Sequence, residues 1–281
     1  MAAGAGLLRT LLIDADIIAF RASASTQEAY DWGDGETSTV ADFEEAKRHA
    51  RDTIDALMDT LDADRAVICL SDDFNNFRKR VCPTYKGNRT SERPVHLYDI
   101  KEWLAENYET ERRGWLEADD IMGIMATEPH PGEERIIVSA DKDMQTIPCL
   151  LYRPHLDRPK VETITPEFAD RYHLYQTLVG DSTDGYPGCP GAGDVIATRL
   201  LDEGLKWSPV HREITRGPNK GVIRTTWELV PSESPWASVV SAYAKAGLKE
   251  KDALKQARLA RILRHDEWNG RPILWSPPAP N

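Results

Sequence analysis

Residues 117–120 read Glu-Ala-Asp-Asp, and this acidic tetrad is the stretch on which the prediction of the fold rests. The same acidic character returns in four aspartate pairs: Asp14 and Asp16, Asp72 and Asp73, Asp141 and Asp143, and Asp181 and Asp184. Three of these pairs come directly after short runs of Val, Ile and Leu, which are typical of buried strands in a parallel sheet. Ligands bind at the carboxyl ends of strands in such sheets, and carboxylates gathered there repel one another without cations. The pattern therefore predicts a divalent metal site for Mg²⁺ or Mn²⁺, which prefer oxygen ligands.

The composition allows one large domain, or a core domain with a smaller lobe. The chain has 281 residues, of which 41% are hydrophobic, enough for a core of ordinary size. Its formal net charge of −11, taken alone, argues against binding to nucleic acid. If nine of the 46 acidic side chains hold metal, the other 37 face 35 basic ones. The charged residues that do not bind metal would then sum to nearly zero, and they can still form a local basic face.

The cysteines and the apolar segments indicate the cellular compartment of the protein. Cys69, Cys82, Cys149 and Cys189 form neither a CxxC pair nor a zinc-like spacing, so we expect a reduced, cytoplasmic compartment. Two aspartates interrupt the apolar run near the N-terminus, which therefore predicts a first strand rather than a signal peptide. No segment reaches the roughly 20 apolar residues that cross a membrane, so no membrane partner is expected.

Strand-like and helix-like segments alternate in the first part of the chain, which predicts an α/β fold. Strands are expected at residues 7–13, 66–70, 108–113, 135–139 and 149–153. Helices are expected at residues 41–61 and 97–107, and from the acidic tetrad onward.

The pattern of the sequence changes after about residue 165. We predict a helix at 166–180, a turn rich in glycine and proline, and a second helix that begins near Asp194. Residues 206–236 are predicted to be irregular, and residues 249–264 to form a basic helix. That basic helix has two equally weighted interpretations: an amphipathic helix with a solvated basic face, or a surface that tracks DNA. The chain ends in a proline-rich tail.

The tetrad has a structural and a functional interpretation. Glu117 and Asp120 lie three residues apart, so they share one face of a helix. Acidic residues at a helix N-terminus also interact favourably with the helix dipole and need no function. The presence of Asp14 and Asp141 at other strand ends favours the functional interpretation. Two metal ions about 4 Å apart, shared among such groups, are the arrangement used for phosphodiester hydrolysis.

Two questions about ligands stay open at this stage. Asp16 either binds metal or caps the helix after the first strand, and capping is favoured. Of Asp72 and Asp73, one is expected to be a cap and the other to lie in the site, and periodicity does not choose between them.

A basic segment and a glycine-rich segment point to nucleic acid. Residues 77–89 carry a dense group of cations with Tyr85 among them, which suits binding of a scissile phosphate and stacking of a terminal base. The alternative is a solvated basic loop. Residues 185–193 read GYPGCPGAG between two predicted helices, and backbone groups there could contact a phosphate backbone with a monovalent cation.

Four motifs occur in a fixed order: IDAD, FRKRxxxTYKGNR, EADD with SADKD, and GDSTDGYPGCPGAG. Together, over residues 11 to about 200, they resemble the 5′-nuclease superfamily, the flap endonuclease-like enzymes. Further matches toward the C-terminus resemble the gene-6-type exonuclease of podoviruses. The resemblance implies an α/β PIN-like catalytic core with a central, mainly parallel sheet at residues 1–163. It also implies a helix–three-turn–helix lobe with further helices at residues 164–281.

The resemblance also implies roles for residues. The metal ligands would be Asp14, Asp73, Glu117, Asp119, Asp120, Asp141, Asp143, Asp181 and Asp184. Asp120 would bridge two ions of Mg²⁺ or Mn²⁺, and Lys86 and Arg89 would contact the reacting phosphate. Contacts to DNA would come from Arg78, Tyr85, Lys86, Arg89, Gly188, Gly191 and Gly193, with K⁺ at the glycine-rich hairpin.

The implied function is a 5′→3′ exonuclease that degrades duplex DNA and RNA–DNA hybrids from 5′ ends, as a monomer, in phage-type replication and recombination. A 5′-flap endonuclease is the alternative within the family. The interval from Lys86 to Glu117 leaves little room for a long helical arch, which favours the exonuclease. Two other classes are alternatives: a phosphatase of the haloacid-dehalogenase type, based on Asp14-Ala15-Asp16, and a catalytically inactive binder of DNA junctions. Both explain less of the sequence.

Overall fold

The computed structural model describes residues 7–31, 33 and 37–279. The chain divides into two compact units, and each is made of more than one segment. The first unit comprises residues 1–77, 90–168 and 262–273, and the second comprises residues 78–89, 169–261 and 274–281. The predicted boundary after residue 163 lies close to the division after residue 168. Neither unit is one continuous segment, because 78–89 belongs to the second unit and 262–273 to the first.

The first unit is built around a six-stranded sheet. Its strands and one separate hairpin are, in chain order, β1 (Leu8–Asp14), β2 (Gln27–Asp31), β3 (Thr37–Ala41), β4 (Arg65–Leu70), β5 (Thr110–Arg112), β6 (Glu133–Val138), β7 (Cys149–Tyr152) and β8 (Val161–Ile164). The sheet has the order β5-β4-β1-β6-β7-β8, and β2 pairs with β3 alone. Its strands are parallel except for β8, which is antiparallel to β7. The predicted α/β class with a mainly parallel sheet is confirmed.

The helices of the first unit follow the predicted apolar spacing. They are α1 (Ala15–Ser25), α2 (Phe43–Leu61), α4 (Leu97–Asn107) and α5 (Ala118–Thr127), with short 3-10 helices at Lys142–Thr146 and His265–Glu267. The α2 helix shows why they form: its buried residues recur every three or four positions, and Asp42 Oδ1 accepts a hydrogen bond from the Glu45 N–H at 2.9 Å. The α2 helix ends where Asp62 adopts a left-handed φ of 48°.

One glycine in α5 is required by close packing. A Cβ at Gly123 would lie 2.4 Å from the carbonyl oxygen of Leu263, so the returning segment 262–273 lies directly against the helix backbone. This contact holds the middle of α5, the helix that the acidic tetrad begins, close to the segment 262–273.

The second unit is mainly helical. Its elements are α3 (Arg78–Val81), α6 (Pro166–Val179), α7 (Asp194–Asp202), β9 (Leu205–Glu213), β10 (Ile223–Pro231), α8 (Pro235–Lys245) and α9 (Glu250–Ala260). Two buried hydrogen bonds join its helices: Tyr243 Oη donates to the Thr177 carbonyl at 2.7 Å, and His173 Nε2 lies 2.8 Å from the Ala257 carbonyl. Trp275, from the proline-rich tail, packs edge-on against the rings of His173 and Trp236.

The prediction for residues 206–236 was wrong. They contain an antiparallel pair of nine-residue strands, β9 and β10, followed by the start of α8. Pro209 within β9 and the glycines between the strands obscured the alternation of the pattern. The basic helix is shorter than predicted, because α9 ends at Ala260. Arg261 is 6% exposed, and Arg258 donates a hydrogen bond to the Trp275 carbonyl, so part of the predicted basic face serves internal packing.

Two further expectations can be compared with the structure. In the part of the chain that the structure describes, no helix has the length and apolarity to cross a membrane. Cys69, Cys82, Cys149 and Cys189 are all free thiols.

Candidate active site

The parallel register brings the acidic pairs of the first unit to one edge of the sheet. Asp14, the last residue of β1, pairs with Cys69 of β4, and Ile13 pairs with Val138, the last residue of β6. The three central strands therefore end almost level with one another. The residues that follow them, with the N-terminus of α5, form the carboxyl edge of the first unit.

Asp14 is the most deeply buried carboxylate on this edge, with 5% of its surface exposed. Its Oδ2 accepts a hydrogen bond from the Ser139 hydroxyl at 2.8 Å, and its Oδ1 accepts one from the Ile17 N–H at 3.4 Å, so it also caps α1. Burial, together with the charges of Asp16 and Asp141, raises the pKa of Asp14 to about 7. Carboxylates are thus close enough here to oppose one another's ionisation.

The Ser-Ala-Asp-Lys-Asp segment after β6 is held by a short chain of hydrogen bonds. The Ser139 hydroxyl accepts a hydrogen bond from the Asp141 N–H at 3.1 Å, and Asp141 Oδ1 accepts one from the Asp143 N–H at 2.8 Å. Asp141 and Asp143 are half-buried. Ser139 therefore connects Asp14 to the loop that carries the two predicted ligands, because its oxygen contacts both.

The structure distinguishes Asp72 from Asp73. Asp72 accepts hydrogen bonds from the N–H groups of Phe74, Asn75 and Trp115 at 2.9–3.1 Å. Although burial acts in the opposite direction, these bonds lower the pKa of Asp72 below its usual range, as expected for a carboxylate that caps a turn. The Asp73 carboxylate makes none of those three contacts, so of the two it is the one that remains a candidate ligand.

Asp73 and Asp16 share a cation that the sequence prediction missed. Lys101, from α4, is 3% exposed, and its Nζ lies 2.5 Å from Asp73 Oδ1 and 3.0 Å from Asp16 Oδ1. Asp16 Oδ1 also accepts a hydrogen bond from the Ser71 N–H at 3.4 Å. The sequence did hold a signal, because Lys101 falls on the same helical stripe as buried Ile100 and Leu104.

The tetrad opens α5, but its members differ in what they do. Glu117 is the N-cap residue, and both Glu117 and Asp119 are half-buried. Asp120 is fully buried: its Oδ2 accepts a hydrogen bond from the Glu117 N–H, and its Oδ1 accepts one from the Leu263 N–H, both at 3.2 Å. The structure therefore does not support the predicted bridging and catalytic role of Asp120. The residue caps α5 and fastens the returning segment 262–273 to it.

The remaining predicted ligands lie in the second unit, beside predicted phosphate-binding residues. Asp184 Oδ1 accepts a hydrogen bond from Arg89 Nη2 at 2.7 Å, its Oδ2 accepts one from the Tyr85 hydroxyl at 2.8 Å, and Lys86 Nζ lies 3.6 Å away. Asp181 is buried, and its Oδ1 accepts hydrogen bonds from the N–H groups of Thr183 and Asp184. The two loops are also joined through the backbone, where the Lys86 N–H donates to the Asp184 carbonyl at 2.9 Å.

Two of the predicted contacts to DNA need correction. Arg78 is 2% exposed, and its guanidinium donates to the carbonyls of Leu259 and Arg261 at the end of α9. Tyr85 is 3% exposed and packs in a small apolar cluster, so its ring has no free face on which a base could stack. Both residues hold the segment 78–89 against the rest of the second unit, and the structure does not support direct binding of DNA by either.

The glycine-rich turn between α6 and α7 contains two kinds of glycine. Gly188 has a φ of 67°, and a Cβ there would lie 2.5 Å from the backbone of Gly180 and Leu178, so the turn cannot close with a larger residue. Gly191 and Gly193 have no atom within 4 Å of the corresponding position. Gly193 is also the N-cap of α7. The structure therefore gives Gly188 a packing role and leaves the backbone at Gly191 and Gly193 open to approach.

The donor chemistry of the carboxyl edge fits a hard divalent cation. Its side chains are carboxylates, and burial together with the charges of Asp16 and Asp141 raises the pKa of Asp14, a penalty on ionisation that a bound cation would relieve. In residues 7–31, 33 and 37–279, no three Asp, Glu, His or Cys side chains are already arranged around one point in the manner of a closed metal cage. Binding would therefore involve rotation of side chains that now contact Ser139 or Lys101.

Comparisons with known proteins identify the family. Residues 9–161 match the family model described as "5′-3′ exonuclease, N-terminal resolvase-like domain". The chain is similar to the exodeoxyribonuclease of Enterobacteria phage T3, with 34% identity over 95% of this chain and 92% of that protein. It is also similar to the exonuclease of Escherichia phage T7, with 33% identity over 92% and 89% of the two chains.

Solved structures show the same fold at lower sequence identity. A bacteriophage T5 protein co-crystallized with metal ions has a TM-score of 0.60 and 16% identity, over 90% of this chain and 89% of that one. The T5 5′-exonuclease with bound zinc has the same TM-score, 14% identity, and coverage of 90% and 88%. The sequence motifs, the sheet with its acidic carboxyl edge and these matches lead to one conclusion: the chain belongs to the 5′-3′ exonuclease family, close to the exonucleases of phages.

Proposed function

We propose that this protein is a metal-dependent 5′→3′ exonuclease that hydrolyses phosphodiester bonds from the 5′ ends of duplex DNA and RNA–DNA hybrids. The observation that carries the proposal is the acidic carboxyl edge of the first unit, where buried Asp14 lies among other carboxylates in a member of this family. The names of the T3 and T7 relatives support a nuclease that acts on DNA.

The residues that would hold divalent metal at this edge are Asp14, Asp73, Glu117, Asp119, Asp141 and Asp143. When bound, Mg²⁺ or Mn²⁺ would activate water and stabilise the leaving oxygen, and two such ions are the arrangement expected from the resemblance. Ser139 contributes by fixing Asp14 and the Asp141 loop relative to each other through its hydroxyl. Lys101 pairs with both Asp16 and Asp73, so its single charge offsets part of the repulsion between the carboxylates at this edge.

The cations of segment 78–89 support phosphate binding. Lys86 and Arg89 lie beside Asp184, which orients them and keeps their heads close together. Lys86 has a left-handed φ of 54°, a conformation that non-glycine residues seldom adopt and that is often retained at functional sites. We infer that these two side chains bind the reacting phosphate, with the carboxylate of Asp184 as their local partner.

The glycine-rich turn supports a second contact with the nucleic acid. The open backbone at Gly191 and Gly193 leads into the N-terminus of α7, where N–H groups and the helix dipole favour an anion. We propose that one strand of the duplex passes its phosphate backbone over this turn, with K⁺ as the companion cation. Gly188 serves only to let the turn close.

The phage relatives support a role in replication and recombination, such as removal of RNA primers, in the cytoplasm of a bacterial host. We propose that the protein acts as a monomer. A 5′-flap endonuclease is the second candidate, because a T5 flap endonuclease is among the proteins of similar fold. The first is preferred because residues 86–117 hold little beyond α4 and β5, so no long arch is present in that described segment to thread a flap.

The proposal is tested with a duplex labelled at one 5′ end, beside a matched substrate that carries a 5′ flap. Mononucleotides or short fragments released from the 5′ end in Mg²⁺, and none in EDTA, are the expected products. Cleavage only at the flap junction would replace the exonuclease with the flap endonuclease. Binding of both substrates without any cleavage would refute the enzyme activity and leave a DNA-binding protein.

A further inference from the structure

The β9–β10 pair forms an arm, here called the ribbon, that was absent from the sequence prediction. Its near end is packed: the Trp207 N–H donates to the Ser241 hydroxyl at 2.9 Å, and Lys245 Nζ lies 3.0 Å above the centroid of the Trp207 ring. Leu205 and Leu229 join the apolar core of the second unit. Beyond this base, residues 211–213 and 215–225 are exposed throughout.

The far end of the ribbon gains no stability from burial. A two-stranded hairpin in water is only marginally stable, because it lacks a third strand or a helix to cover its faces. Here Val222 and Ile223 are 53% and 67% exposed, so these two apolar side chains are largely uncovered. The chain nevertheless extends this far, which indicates a role in external contact.

The tip is ordered by its own backbone. Ile214 exchanges hydrogen bonds with the far strand, donating to the Val222 carbonyl and accepting from the Gly221 N–H, both at 2.9 Å. The Lys220 N–H donates to the Gly217 carbonyl at 3.1 Å, and Gly217 and Gly221 take left-handed φ values of 83° and 90° that permit the turn. The ribbon therefore presents its side chains from a defined loop.

The charge of the far end is opposite to that of the chain. Residues 211–225 carry four cations, Arg212, Arg216, Lys220 and Arg224, and a single acid, Glu213. Arg212 lies directly opposite Arg224 in the strand register, so two guanidinium groups share one face of the ribbon. Like charges at opposed positions destabilise a strand pair. One ion pair, from Arg212 to Glu228 at 2.8 Å, offsets this only in part.

We propose that the ribbon is a nucleic-acid arm whose far end binds the phosphate backbone of the duplex substrate through Arg216, Lys220 and Arg224. An anionic polymer accounts for the opposed arginines, the basic tip on a chain of net charge −11, and the exposed length of the strands. A two-stranded ribbon is also a form in which proteins approach DNA grooves. The inference rests on the proposed function in one respect only, that the substrate is a duplex.

The test is the salt dependence of binding. The triple variant Arg216→Gln, Lys220→Gln, Arg224→Gln is compared with the unmodified protein on a labelled blunt duplex, by fluorescence anisotropy with Ca²⁺ in place of Mg²⁺. Between about 50 and 200 mM KCl, each phosphate contact contributes about 0.9 to the slope of log affinity against log salt. The variant is expected to lose about 2 to 3 from this slope and to bind at least about tenfold more weakly.

A matched control removes the same charge from another surface. Lys47, Arg48 and Arg51 lie on α2, each with a local partner in Glu44, Glu45 or Trp103. Their triple change to Gln should leave the slope nearly unaltered. A ribbon variant that keeps the slope and affinity of the unmodified protein would overturn the inference, while cleavage by the unmodified protein would leave the proposed function intact. Failure of the unmodified protein both to bind and to cut the duplex would instead refute the proposed function.

Discussion

Lys101 provides the sharpest test of the electrostatics of the carboxyl edge. Its ammonium lies 2.5 Å from Asp73 and 3.0 Å from Asp16, with only 4% of the side chain exposed. The change Lys101→Met keeps the length of the side chain and leaves two carboxylates facing each other without the cation. Removal of one partner from a buried ion pair costs about 3–5 kcal/mol. Because Asp16 is 31% and Asp73 15% exposed, water attenuates this, and we expect a loss of about 2–3 kcal/mol.

The loss of stability in Lys101→Met should depend on whether Mg²⁺ is present. In EDTA, urea unfolding of Lys101→Met should give the full decrease in the free energy of unfolding. In excess Mg²⁺ the unpaired carboxylates gain a cation again, so a large part of the stability should return. Arg135→Met is the matched control, because Arg135 is also poorly exposed, lies near the opposite end of β6 and pairs with Glu128 and Glu133 at 2.6 and 2.9 Å.

For the control Arg135→Met, the decrease in the free energy of unfolding should be the same in EDTA and in Mg²⁺. The reasoning is refuted if Lys101→Met is destabilised equally in both conditions, since Lys101 would then act only as a packing residue. If Lys101→Met does not fold, Lys101→Gln, which also removes the charge but keeps a polar end group, allows the same comparison.

Three further predictions concern single residues. The folded-state pKa of Asp14 is raised to about 7 from 3.8, so its contribution to stability is greatest at low pH and is lost as the pH rises. In EDTA, the free energy of unfolding of the unmodified protein should fall by about 2–3 kcal/mol between about pH 5 and pH 7.5 because of this group. Urea unfolding of Asp14→Asn should lack that loss, and an identical pH profile in both proteins would contradict the burial argument. Gly188→Ala should cost about 3 kcal/mol or more because its Cβ meets backbone, whereas Gly191→Ala, where only the left-handed φ opposes the change, should cost about 1–2 kcal/mol; thermal unfolding that ranks the two the other way would be inconsistent with the turn geometry. Lys86→Ala should lower the single-turnover rate of cleavage more than it weakens binding of the duplex, and a change in KM alone would remove Lys86 from the reacting phosphate.

The elements that the sequence predicted well are those with strong local periodicity. The α2 helix has both a capping aspartate and a regular apolar stripe, and β1, β4 and β6 are continuous apolar runs, which a buried parallel strand requires. The acidic pairs at the strand ends followed from the same logic, because strand direction and register place them on one edge.

The features that the sequence did not reveal depend on contacts between distant parts of the chain. The burial of Arg78 and Tyr85 is decided by the end of α9, about 180 residues away from Arg78. The sequence predicts Asp120 as a ligand, because no local pattern indicates its hydrogen bond to the distant Leu263. The sequence did not predict the ribbon, because the outer half of the ribbon has no alternation of apolar and polar residues. The same lack of apolar residues leaves that half exposed in the structure.

The central claim is that the carboxylates at the carboxyl edge of the first unit carry out metal-dependent hydrolysis of nucleic acid. The most direct measurement is single-turnover cleavage of a 5′-labelled duplex in Mg²⁺ by the unmodified protein and by Asp141→Ala, with affinity measured separately in Ca²⁺. Asp141 is half-buried, and its hydrogen bonds with Ser139 and Asp143 lie within one short loop. The variant should therefore fold and bind the duplex nearly unchanged. The account predicts that its cleavage rate falls by several orders of magnitude; cleavage at a rate close to that of the unmodified protein would contradict it.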